Sequence, residues 1–95
     1  MTHANRARGE VVATLAGQPR RLCLTLGAVA ELETAFGVEG FAPLAERLRT
    51  LSARDLATVL AALLRGGGEG EVELSGVDFR EAAEAVAAAF TAAGE

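Results

Sequence analysis

The spacing of apolar residues changes rhythm within the first third of the chain. Val11, Ala13 and Leu15 alternate with Glu10, Val12 and Thr14, and Leu22, Leu24 and Leu26 alternate with Arg21, Cys23 and Thr25. A period of two puts one apolar row on each of two strands. Gly17 and Gln18 stand between the rows as a two-residue connection, and Pro19, which has no N–H to give a ladder, suits an edge or a turn. The pattern predicts a hairpin. Past Gly27 the period becomes helical: Val29, Leu32, Ala35 and Phe36 share one side, Glu31 and Thr34 take the other, and Gly37 is placed as a C-terminal cap. A two-stranded ribbon is marginal alone in water, so helices must cover its leucine face.

The remainder reads as helices. Phe41, Leu44, Leu48 and Leu51 recur at intervals of three and four, with Pro43 in the first turn, where a missing N–H costs nothing. Ser52 and Asp55 then imitate a capping box ahead of Leu56, Val59, Leu60, Leu63 and Leu64, the cleanest apolar stripe in the chain. A helix is predicted over 53–65, closed by Gly66, Gly67 and Gly68. Residues 66–70 read as a flexible glycine-rich loop. Its glycines follow a helix and sit among acids, the reverse of a phosphate cradle. Glu71, Val72, Glu73 and Leu74 alternate and leave room for a third short strand, without the ligand spacing of a calcium loop. Ser75 or Asp78 opens the last helix, each with an acid three residues on; Phe79, Ala82, Ala83, Val86 and Phe90 form its inner face and Gly94 ends it. The expected architecture is α+β: a disordered tail over 1–8, then one domain over 9–94 in which the hairpin packs against about four α-helices.

Composition narrows the function. The chain has 95 residues, a formal charge of -4 and nine positive residues, all of them arginine. Without lysine there is no Walker-type phosphate loop and no Schiff-base or general-base lysine. The acidic balance also argues against nucleic-acid binding, which needs a concentrated positive patch; Arg6, Arg8, Arg20 and Arg21 read as solvated surface. With 21 alanines and four phenylalanines as its only aromatics, the chain builds a modest core. The longest apolar runs, 59–64 and 85–90, fall far short of the roughly 20 residues that span a bilayer. Residues 1–10 carry no apolar stretch of the kind a secretory signal needs, and a single cysteine makes no internal disulfide, so a cytoplasmic setting is expected.

No reactive constellation emerges. His3 is the sole histidine and has no ligand set around it. Glu31 and Glu33 are two residues apart on a helix and point roughly 200° apart, so they cannot act on one bond. Cys23 lacks an activating histidine and reads as a small half-buried filler, while Ser52 and Ser75 are explained as caps. The sequence therefore predicts no catalytic, cofactor or metal site, and a protein that works through its surface. Two rows have the spacing of helix-in-groove anchors: Phe41, Leu44, Leu48 and Leu51, and Phe79, Val86 and Phe90. Each is a candidate for partner binding, and burial in the core is the competing reading.

Certain stretches also carry a family likeness: Arg8-Gly9-Glu10-Val11, Ala16-Gly17-Gln18 and Leu22-Cys23-Leu24-Thr25-Leu26-Gly27-Ala28-Val29-Ala30-Glu31-Leu32-Glu33. With Leu44-Ala45-Glu46-Arg47-Leu48 and Leu51-Ser52-Ala53-Arg54-Asp55-Leu56, they resemble the small tail assembly chaperones of gene transfer agents and tailed phages, a class also labelled tail tube protein. The likeness covers about two thirds of the chain and fades in the glycine loop. It implies a non-enzymatic chaperone that binds the tape-measure protein or tail-tube components during tail building and is not expected in the finished particle. The alternative is a structural tube or terminator subunit that assembles into rings, a homo-oligomer whose wall needs a wider sheet than this chain predicts.

Overall fold

Residues 4, 5 and 8–94 are described by the computed structural model. His3, Arg6 and most of the expected tail lie outside them. Strands β1 (Val11–Leu15) and β2 (Gln18–Leu22) pair antiparallel, with Val11 opposite Leu22 and Leu15 opposite Gln18. Four helices follow: α1 (Leu26–Phe36), α2 (Phe41–Arg47), α3 (Ala53–Gly66) and α4 (Phe79–Gly94), with a 3-10 turn over Leu48–Thr50 between α2 and α3. This is the expected hairpin-plus-helices α+β fold. Residues 71–74 do not form the third strand for which their alternation left room.

The hairpin turns one residue earlier than its spacing predicts. Ala16 and Gly17, not Gly17 and Gln18, make the connection, both at positive φ (52° and 82°). That pairing of angles matches the right-handed twist of the flanking strands. Leu15 and Gln18 flank a two-residue turn and form its hydrogen-bonded pair, so Pro19, opposite Thr14, falls where its missing N–H faces away from β1 and costs the ladder nothing.

The second apolar row is also shorter than predicted. β2 stops at Leu22 because the next N–H, that of Cys23, donates to the Leu63 carbonyl at 3.0 Å and turns the chain onto α3. Thr25 then caps α1, its Oγ1 accepting from the Ala28 N–H at 3.1 Å. Leu26, assigned by alternation to the strand, is the first residue of α1 and is 87% exposed. Gly37 ends α1 in the left-handed conformation, as its position predicts.

Helix α3 is the centre of the molecule. Ser52 Oγ accepts from the Asp55 N–H at 3.1 Å to start it, and its stripe closes against α1, α4 and β2. Val59, Leu60, Leu63 and Leu64 are almost wholly shielded from water, with Leu22, Leu32 and Leu44 around them. Each such leucine contributes about 1.5–3 kcal/mol of transfer free energy. The helix ends in Gly66 and Gly67, which lie so close to the hairpin that a Cβ on Gly66 would overlap the Cys23 carbonyl oxygen and one on Gly67 the Arg21 carbonyl oxygen. The side-chain-free end lets the helix dock directly on backbone. Glu69 then reaches back, Oε2 accepting from the Arg21 N–H at 3.0 Å and Oε1 from Arg20 at 3.3 Å.

Of the two candidate starts for α4, Asp78 is used. Its Oδ2 accepts from the N–H groups of Arg80 (3.0 Å) and Glu81 (3.3 Å). Glu81 does not return to its own cap; its carboxylate accepts from the Ala16 N–H at 3.2 Å and pins the hairpin turn to the helix.

Candidate partner-binding groove

The first candidate row divides where α2 gives way to the 3-10 turn. The helix predicted to run through Leu51 stops at Arg47, and Leu51 is extended (φ −75°, ψ 135°), which sets Ser52 in place to cap α3. Arg47 braces this corner: it bonds Asp55 at 2.9 Å, and its guanidinium lies 5.0 Å from the centre of the Phe36 ring. Upstream of the break, Leu44 is sealed in the core, and Phe41 packs on Phe90 with ring centroids 5.7 Å apart. Downstream, Leu48 and Leu51 are half-buried and turn toward α4.

The second row divides by burial as well. Phe90 and Val86 are buried, whereas Phe79, in the first turn of α4, is 60% exposed. Four of the seven candidates meet: Leu48, Leu51, Phe79 and Val86 line one open groove of about 280 Å³, with Leu56 and Ala83 in its walls. The opposite side of Phe79 borders a second hollow of about 170 Å³, floored by Leu56, Leu60, Leu74 and Val77. Phe79 is thus a ridge between two apolar depressions. A larger hollow of about 580 Å³ between β1 and α4 has Glu10 in its wall and alanines along its helical side.

Sequence spacing misses Leu56, Val77 and Ala83 as parts of this surface. Leu56 belongs to the strongest core stripe in the chain, so its place in the walls of both hollows becomes visible only when the 3-10 turn and α4 are set beside it. Arg49 also lines the groove. The other residues weighed for chemistry lie apart from it. Cys23 is more deeply buried than a half-buried filler: its Sγ donates to the Arg8 carbonyl at 3.3 Å, and burial pushes the thiol pKa up. Glu31 reaches Arg65. Among the described residues there is no group of three or more His, Cys, Asp or Glu placed to hold a metal ion, and no helix is long and apolar enough to cross a membrane.

This surface is carried by a chain whose residues 8–95 match the family model described as "Phage tail tube protein, GTA-gp10". The chain belongs to that family. The match runs through the glycine loop and α4, beyond the two thirds over which the likeness is legible in the residues, and puts the groove within a gene transfer agent or phage tail family. No curated protein and no solved structure matches the chain.

Proposed function

We propose that this tail-family protein is a tail assembly chaperone, which covers an apolar helical stripe of a tape-measure or tail-tube component in the cytoplasm until the tube encloses it. The observation that carries the reading is Phe79, a large apolar side chain left 60% exposed between two apolar hollows on a domain with little interior. Such a ridge accepts a partner helix whose anchors straddle it at i, i+3, i+4 and i+7. The thin sheet supports the same reading. Two strands of five residues make a roof for α3 and α4, whereas closing a tube wall takes many strands in register.

A tube or terminator subunit is the second reading, favoured by the family's printed description and by the free edge of β1. The backbone groups of Val12 and Thr14 point away from β2 and meet no hydrogen-bond partner among the described residues. No charge, proline or bulge on β1 blunts that edge. Light scattering on the pure protein, alone and mixed with the purified tape-measure protein of the same tail, separates the two. A monomer or small oligomer that forms a complex supports the chaperone; rings or tubes formed by the pure protein overturn it.

A further inference from the structure

We infer that the free edge of β1 pairs with β1 of a second copy of this chain, in an antiparallel two-fold dimer centred on Ala13. This goes beyond the groove reading and does not depend on it. In the β1–β2 ladder Val11, Ala13 and Leu15 form hydrogen-bonded pairs with Leu22, Arg20 and Gln18, so the backbone groups of Val12 and Thr14 face outward. The next outward N–H on either side is already taken: that of Glu10 donates to the Asn5 carbonyl at 3.1 Å, and that of Ala16 to the Glu81 carboxylate at 3.2 Å. The unfilled window is therefore symmetric about Ala13. An isologous contact requires that symmetry, since each strand must present to its copy what the copy presents to it.

Pairing Val12 with Thr14 of the second copy, and Thr14 with its Val12, sets Ala13 opposite Ala13 and fills every outward backbone group of the two residues on both strands. On the outer face Val12, 40% exposed, meets the exposed Thr14, a β-branched cross-strand pair. β1 itself carries no charge, and Glu10, at the end of the window, is buried and held by the Asn5 N–H and by Arg8, both at 2.8 Å. α4 leaves open space beside the first half of the edge: the hollow of about 580 Å³ next to Val11 and Val12 has only small side chains, Ala88, Thr91 and Ala92, on its helical wall. Growth stops at two copies, because the outer edge of β2 has no N–H to offer. Pro19 lacks one, and those of Arg21 and Cys23 go to Glu69 and Leu63. The product is a four-stranded sheet ordered β2–β1–β1–β2. Phe79, near the opposite end of α4 from that hollow, stays open to a partner.

The test is sedimentation equilibrium of the full-length protein over concentrations up to about 1 mM. A dimer is expected, twice the mass of the 9.7 kDa chain. Thr14→Pro removes a donor that no bond within the described residues uses; it is expected to weaken the dimer about tenfold or more with unchanged circular dichroism, because the two-fold interface loses two hydrogen bonds. Phe79→Ser is expected to leave the dimer intact. Cross-linking reads the register. The double variant Val12→Cys/Thr14→Cys is expected to form a disulfide-linked dimer on mild oxidation, and Val12→Cys alone is not, since the two copies of residue 12 lie more than about 7 Å apart in this pairing. Cys23 is buried and stays out of the reaction. A monomer at every concentration, a species larger than the dimer, a dimer that Thr14→Pro leaves at full strength, or equal cross-linking of the single and double cysteine variants overturns the inference. Of these, a monomer leaves the chaperone reading standing, and rings or tubes overturn both.

Discussion

The Arg21 N–H donates to the Glu69 carboxylate at 3.0 Å, so an acid in the glycine loop closes the outer edge of β2. That bond, with Arg20 and Arg21 beside it, holds the Glu69 carboxyl below its ordinary range. A carboxyl whose folded pKa is depressed adds stability in full above its unfolded value, near about 4.3, and loses it as pH falls from there through the lower folded value. Glu69→Gln keeps an acceptor but loses the charge. It is expected to cost about 1–2 kcal/mol at neutral pH and to flatten the acid limb of a plot of thermal midpoint against pH. Glu73, lowered by the N–H of Ser75 from an exposed position, is the comparison, and Glu73→Gln is expected to change that limb far less.

Docking of α3 on the hairpin requires the absence of two side chains. Gly66→Ala and Gly67→Ala each drive a methyl into a carbonyl oxygen that is part of the backbone and cannot swing away. Each is expected to lose about 2–4 kcal/mol in urea denaturation. Gly76→Ala, where an added Cβ meets open space and the backbone is not left-handed, is expected to be neutral within about 0.5 kcal/mol.

The hairpin turn carries a strain that can be relieved. Ala16 sits at φ 52°, a conformation that costs an L side chain roughly 1 kcal/mol. Ala16→Gly is expected to raise the thermal midpoint, because Ala16 is exposed and its N–H to Glu81 survives the change. The gain, read by differential scanning calorimetry, is about 0.5–1 kcal/mol.

Much of this fold is legible in the residues. The stripe of Leu56, Val59, Leu60, Leu63 and Leu64, the Ser52 cap and the Gly37 stop act locally, so periodicity and capping chemistry find them. The turn at Ala16 escapes because a glycine next to a glutamine looks the better connection and alanine seldom takes a positive φ; its N–H bond to Glu81 comes from α4, 65 residues away. Leu26 escapes for a similar reason: alternation continues past Leu22, but Thr25 offers a cap and Leu63 ends the strand. The groove is half legible. Spacing identifies Phe79, Leu48, Leu51 and Val86 as members of apolar rows, but the break after Arg47 decides which of them stay near the surface, and that break answers to the start of α3.

Cys23 gives a readout of opening. With its thiol buried, bonded to the Arg8 carbonyl and raised in pKa, it is expected to react with a disulfide reagent only through unfolding, and urea is expected to speed the reaction in step with loss of helical signal. Rapid reaction in the native protein would place the thiol in solvent.

The central claim is that the exposed Phe79 ridge is where a tail component sits. Isothermal titration of the protein, and of its Phe79→Ser variant with an unchanged melting curve, against the purified tape-measure protein of the same tail tests it most directly. The account predicts saturable binding by the protein and a loss of about tenfold or more in the variant, equivalent to about 1.4 kcal/mol or more. Equal affinity of the two proteins, or no binding together with spontaneous ring formation, would contradict it.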